Sequence, residues 1–131
     1  MASELLRGYV RGLSMWPALI PGDILRAERR AVSRVLPGQV VVVGHGTNEQ
    51  IVHRVVRTVA KGGRVLLCTA GDRSGRDAPV IVEQFDTLPV VIGVLRRRKY
   101  RAVGRRSRWA EQMPDVLVRV HCAIVRKLRW H

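Results

Sequence analysis

Two stretches of this chain carry residues that could do chemistry together. Ser14 stands in Gly12-Leu13-Ser14-Met15-Trp16-Pro17, and His53 stands 39 positions on, in Ile51-Val52-His53-Arg54-Val55-Val56. A serine hydroxyl is a weak nucleophile at neutral pH unless a base lies within hydrogen-bond reach. An unperturbed imidazole titrates near ~6.5, so His53 is suited to take the Ser14 proton. A carboxylate is then needed to hold the imidazole tautomer and stabilise its charged form. Gly71-Asp72-Arg73-Ser74-Gly75-Arg76-Asp77-Ala78-Pro79 offers two, Asp72 and Asp77. Taken singly, each residue has a structural reading: a turn or cap serine, a histidine on a half-buried strand, aspartates that satisfy turn N–H groups. His45 is a rival base in a Gly-rich loop, whereas His121 and His131 belong to the C-terminal stretch and read as surface residues.

Three boxes in this order resemble the signal-peptidase and LexA superfamily of serine proteases. The nucleophile box of that superfamily is Ser-Met-x-Pro followed by Gly-Asp, here Ser14-Met15-Trp16-Pro17 and Gly22-Asp23. Where many members carry a lysine base, this chain has His53, which is similar to the endoplasmic-reticulum and archaeal branch with its Ser-His-Asp set. The resemblance spans residues 8 to 95. It implies Ser14 as nucleophile, His53 as general base, Asp77 as the residue orienting His53, and Asp72 as a loop-organising aspartate. Met15 would pack beneath the site, Pro17 would stiffen the turn, and Arg54 would be structural. The oxyanion hole would include the Ser14 N–H. Many members place a serine two residues before the nucleophile, where this chain has Gly12, so one hydroxyl donor is missing. The implied fold is mainly β: a small, coiled, partly open barrel with the active site along one sheet edge. The implied reaction is peptide hydrolysis without metal or cofactor, on a precursor peptide or protein bound as an extended strand.

The elements that must position these residues are partly legible. A short helix is expected over 3–11, with Ser3 as its N-cap and Gly12 ending it. Strands are expected from Asp23 to Ala27, from Gln39 to Val43 and from Ile51 to Val59. The second is apolar enough to be buried on both sides. Period-two alternation places Ile51, His53, Val55 and Val59 on one face of the third strand and Val52, Arg54, Val56 and Thr58 on the other. Lys61-Gly62-Gly63 makes a hairpin turn into Arg64 to Thr69, and Val90 to Leu95 closes the set.

At 131 residues the chain can bury a real core, and its 47% hydrophobic but only 5% aromatic composition predicts an aliphatic one. Its net charge of +14 is uneven: residues 96–131 hold 12 Lys/Arg against 2 acidic residues. This predicts a protease-like domain over 1–95 and a basic helical appendage over 96–131. Pro114 can occupy the first turn of its helix. Val116, Leu117, Val120, Ala123, Ile124 and Leu128 then form the apolar side of a basic amphipathic helix. Three uses fit, in descending order: packing on the protease domain or docking a partner, lying on an anionic membrane surface, and binding nucleic acid.

No window approaches the ~20 apolar residues of a membrane span, and the N-terminal stretch does not read as a secretory signal. The expected location is therefore cytoplasmic, at the inner membrane face where the tail binds lipid. Cys68 and Cys122 read as reduced packing residues. Two other functions are compatible with the same motifs: a LexA-type self-cleaving regulator, and a catalytically inactive basic binding protein on the same fold.

Overall fold

The computed structural model describes residues 5–44, 50–73, 80–82, 87–105 and 110–128. Its eight strands are β1 (Leu5–Tyr9), β2 (Ile24–Ala31), β3 (Val40–Gly44), β4 (Gln50–Lys61), β5 (Arg64–Ala70), β6 (Val80–Val82), β7 (Thr87–Arg96) and β8 (Lys99–Arg101), followed by one helix, α1 (Asp115–Leu128). All pairings are antiparallel, in the order β1-β2-β7-β3-β4-β5-β6, with β8 folded back on β7. The protein is thus mainly β, as expected. Among the described residues, however, β1 and β6 have no pairing with one another and the sheet does not close into a barrel.

Valine-rich strands give this sheet a core on both faces. Along β3, Val40 and Val42 join a cluster with Val10, Met15, Leu19, Leu25, Val91 and Val94. Val41 and Val43 point the other way, into a cluster with Val35, Val55, Leu67, Leu88 and Val90. β4 follows the same alternation, with Val52 on the first side and Ile51 and Val55 on the second. A bulge between Val55 and Arg57 then breaks the register with β5, and beyond it Val59 is exposed rather than sharing the buried face of Val55.

Ser3, the expected N-cap, lies outside the described residues, and from Leu5 on the expected helix is instead the strand β1, in register with β2 from Leu5↔Glu28 to Tyr9↔Ile24. Leu6, Gly8 and Val10 turn inward while Arg7, Tyr9 and Arg11 face water, which is a period of two. Pairing with β2 overrides a weak helical preference already lowered by Gly8.

The helix after Pro114 is present, but its packed side differs from expectation. Val118 and Cys122 are buried and Val125 half-buried, in a cluster with Trp16, Ile20 and Ala110. Val116, Val120 and Ile124 are exposed. Contacts therefore cross residue 95: α1 packs on Trp16 and Ile20, and Arg96 binds Asp23. A contrast follows. Val118→Asp buries an uncompensated charge and should lower Tm by at least ~5 °C, whereas Val116→Asp should shift it by less than ~2 °C. Thermal unfolding followed by circular dichroism reads both. Neither cysteine is in a disulfide, and both are buried.

Candidate active site

Residues 10–23 form a loop whose ends are tied together. Val10 N–H donates to Asp23 O at 3.0 Å, and Gly22 N–H donates to Val10 O at 2.9 Å, with Gly22 at φ 94° where glycine is favoured. Within the loop, Trp16 N–H bonds Leu13 O at 3.1 Å and Leu19 N–H bonds Met15 O at 2.9 Å. Side chains four apart then share a side. Met15 and Leu19 enter the first sheet core, and Trp16 and Ile20 enter the cluster under α1. Half-buried Ser14 is carried between these two anchors.

The aspartate of the Gly-Asp pair closes the loop electrostatically. Buried Asp23 accepts Ile20 N–H at 2.9 Å and a two-pronged contact from Arg96, Nε to Oδ1 at 2.9 Å and Nη2 to Oδ2 at 2.8 Å. Arg96 also donates to Ala18 O at 3.2 Å. Such fork-to-carboxylate geometry fixes orientation as well as charge.

The third box meets the first through the main chain. Arg73 N–H donates to Ser14 O at 2.8 Å. The same box meets the second through side chains: Arg54 binds Asp72 with Nε to Oδ1 at 2.8 Å and Nη2 to Oδ2 at 3.0 Å. Arg54 reaches further, to Gly38 O at 2.9 Å and Gly104 O at 2.7 Å. Asp72 thus has both carboxylate oxygens engaged by Arg54, which suits a loop organiser. Asp77 and His45 lie outside the described residues.

His53 lies one residue before Arg54, paired with Val41 across the β3–β4 ladder. By alternation it shares the face of Ile51 and Val55, while Arg54 shares that of Val52 and Met15. The ring is half-buried, with its Nδ1 atom shielded from solvent. Ser14 is held by its carbonyl, and no hydrogen bond among the described residues joins its hydroxyl to the imidazole. Gly12 has open space where a Cβ would stand, with nothing within 4 Å.

Three features of this site escape sequence reasoning. Arg73, whose backbone holds Ser14, donates from its side chain to Asp115 Oδ1 at 2.6 Å, to Met113 O at 2.5 Å and to Ala110 O at 3.3 Å. Trp16 Nε1–H donates to His121 Nδ1 at 3.0 Å, with the rings edge-on. His121 is exposed, as expected, and also ties α1 to the nucleophile loop through this bond. Arg96 is the third feature. No signal in the sequence separates these side chains from neighbouring surface charges.

Comparisons of the chain with protein-family models, with curated proteins and with solved structures gave no match.

Proposed function

We propose that this chain is a serine endopeptidase in which Ser14 attacks the peptide carbonyl and His53 acts first as general base, then as general acid. The observation that carries this reading is the meeting of the three motif segments. The Ser14 carbonyl is bonded to Arg73, the adjacent Asp72 grips Arg54, and Arg54 adjoins His53. These bonds tie the Ser14 loop and Arg54 to the third segment, and His53 stands beside Arg54 on the β4 face of Ile51 and Val55. Bonds between nucleophile and base are often loose in free enzymes and tighten with substrate bound. Proton transfer from Ser14 Oγ to the imidazole accompanies acyl transfer. The protonated ring then returns the proton to the leaving amine, and water releases the acyl group by the same path reversed. Asp77 is the proposed orienter of the ring, and the Ser14 N–H a donor to the oxyanion.

The substrate mode follows from the edge of the sheet. β1 has one neighbour among the described residues, β2, and its chain runs directly into the Ser14 loop. An extended peptide adding to this edge would pair through its main chain and arrive at the nucleophile. A leader segment on a precursor peptide or a partner protein has the required extended form.

Cleavage of a mixed synthetic peptide library, read by mass spectrometry, tests this. The wild type should generate new termini at a restricted set of bonds, and Ser14→Ala should generate none. Equal cleavage by both proteins, or none by either, contradicts the reading. Gly12→Ser gives a gain-of-function test. The open space there accommodates a hydroxymethyl group. An added oxyanion donor should raise kcat by about 10-fold or more, since removing one such donor costs ~3 kcal/mol elsewhere. Unchanged kcat would place the developing oxyanion away from residue 12.

A further inference from the structure

Helix α1 has two apolar sides, and the fold uses one. Val118, Cys122 and Val125 pack on the nucleophile loop. Val116, Leu117, Val120 and Ile124 remain 65%, 50%, 50% and 52% exposed. At about 100° per residue these four lie within an arc of roughly 100°, centred about 150° from the packed side. The exposed surface of this part of the chain is basic. Arg119 is exposed on α1, and Arg97, Arg98, Lys99, Arg101 and Arg105 are exposed on and after the β7–β8 hairpin. Residues 96–131 carry 12 Lys/Arg against 2 acidic residues.

We propose that the outer face of α1 is a docking surface for an anionic lipid bilayer. An occupant must offer apolar contact to four adjacent side chains and negative charge to Arg119 and to a strongly basic chain. A nucleic acid offers the charge but not the apolar contact. A second copy offers the apolar contact but sets one +14 chain against another. The headgroup boundary of an anionic bilayer offers both, and a helix lying in it buries its apolar face just below the headgroups. No helix among the described residues is long and apolar enough to cross a bilayer, so the contact is one of lying on the surface. Through Trp16, the packed side of the same helix would hold the Ser14 loop about one helix diameter, ~10 Å, from the lipid. This inference stands without the peptidase reading, since it rests on the outer side of α1 alone.

Co-sedimentation of the full chain with phosphatidylcholine vesicles, with and without phosphatidylglycerol, tests it. The chain should bind the phosphatidylglycerol-containing vesicles, more weakly as salt rises, and leave pure phosphatidylcholine vesicles unbound. Val120→Asp combined with Ile124→Asp should weaken binding at least 10-fold. Arg119→Glu combined with Lys99→Glu should weaken it by about 5-fold or more for each charge. If the aspartate pair alters the circular dichroism spectrum, Val120→Ser with Ile124→Ser replaces it, with the same direction expected. Absence of binding, or full binding by the apolar-face variants, overturns the proposal. So does a concentration-dependent dimer in the wild type that the same variants abolish, because a second copy would then cover the stripe.

Discussion

Ser14→Ala and His53→Ala should each lower kcat/KM for peptide cleavage by at least ~1,000-fold, and the double variant should be no worse than the more damaged single one. A nucleophile and its base act as one unit: without the base the hydroxyl is a poor attacker, and without the hydroxyl the base has no proton to take. Ser14 is half-buried and held through its backbone carbonyl, so the alanine variant should keep the wild-type melting temperature. In the wild type, kcat/KM should rise as pH increases through the imidazole range, because the base acts in its neutral form. Additive losses in the double variant would mean that the two side chains serve separate steps. Steady-state kinetics on a peptide identified from the library read all of these outcomes.

The largest expected stability effect is at Asp72. Its side chain is 0% exposed and Arg54 is 11% exposed, with the closest approach 2.8 Å. Asp72→Ala would leave a buried guanidinium without its counter-charge, which typically costs about 3–5 kcal/mol. That is a large part of the ~5–15 kcal/mol that holds a domain of this size folded. Denaturant unfolding of Asp72→Ala should show this loss, and Asp77→Ala should show little of it while reducing activity. The reverse pattern would exchange the roles of the two aspartates. A loss below ~1 kcal/mol at Asp72 would mean that Gly38 O and Gly104 O already satisfy Arg54 without it.

How far the sequence reveals this molecule depends on whether its signals are local. β3, β4 and β7 are rich in β-branched residues and β5 is an apolar run after a Gly-Gly turn, and each forms within a few residues of its expected limits. Gly62 and Gly63, at φ 58° and 75°, supply the hairpin between β4 and β5 that their types announce. The hairpin between β7 and β8 has the same backbone sign at Arg97 and Arg98, φ 54° and 62°. Arginine gives no such announcement, so β8 is hidden inside what reads as a charge run. Arg96 is hidden in the same way. It belongs to that run by composition and to Asp23 by geometry. β1 shows the limit from the other side: its inward residues are Leu6, Gly8 and Val10, and the missing side chain at Gly8 erases the alternation. In α1 the amphipathic pattern is real, but the larger apolar residues lie outside, and the packed side is made by Val118 and Cys122. The position of Trp16, Ile20 and Ala110 decides which side is covered, and that is a tertiary fact. The three motif segments can be marked in the sequence, but not how they meet. The contacts between them, the Arg54–Asp72 side-chain pair and the Arg73 N–H on the Ser14 carbonyl, required the fold.

Covalent labelling tests most sharply whether Ser14 is a nucleophile activated by His53. The chain is treated with a serine-directed peptidyl phosphonate, in which the serine oxygen displaces a phenoxide from phosphorus, and the adduct is mapped by peptide mass spectrometry. One adduct is expected, on Ser14, formed by the wild type and by the Asp115→Asn variant but not by His53→Ala. An adduct on another serine, labelling that survives loss of His53, or no adduct on the folded wild type would contradict it.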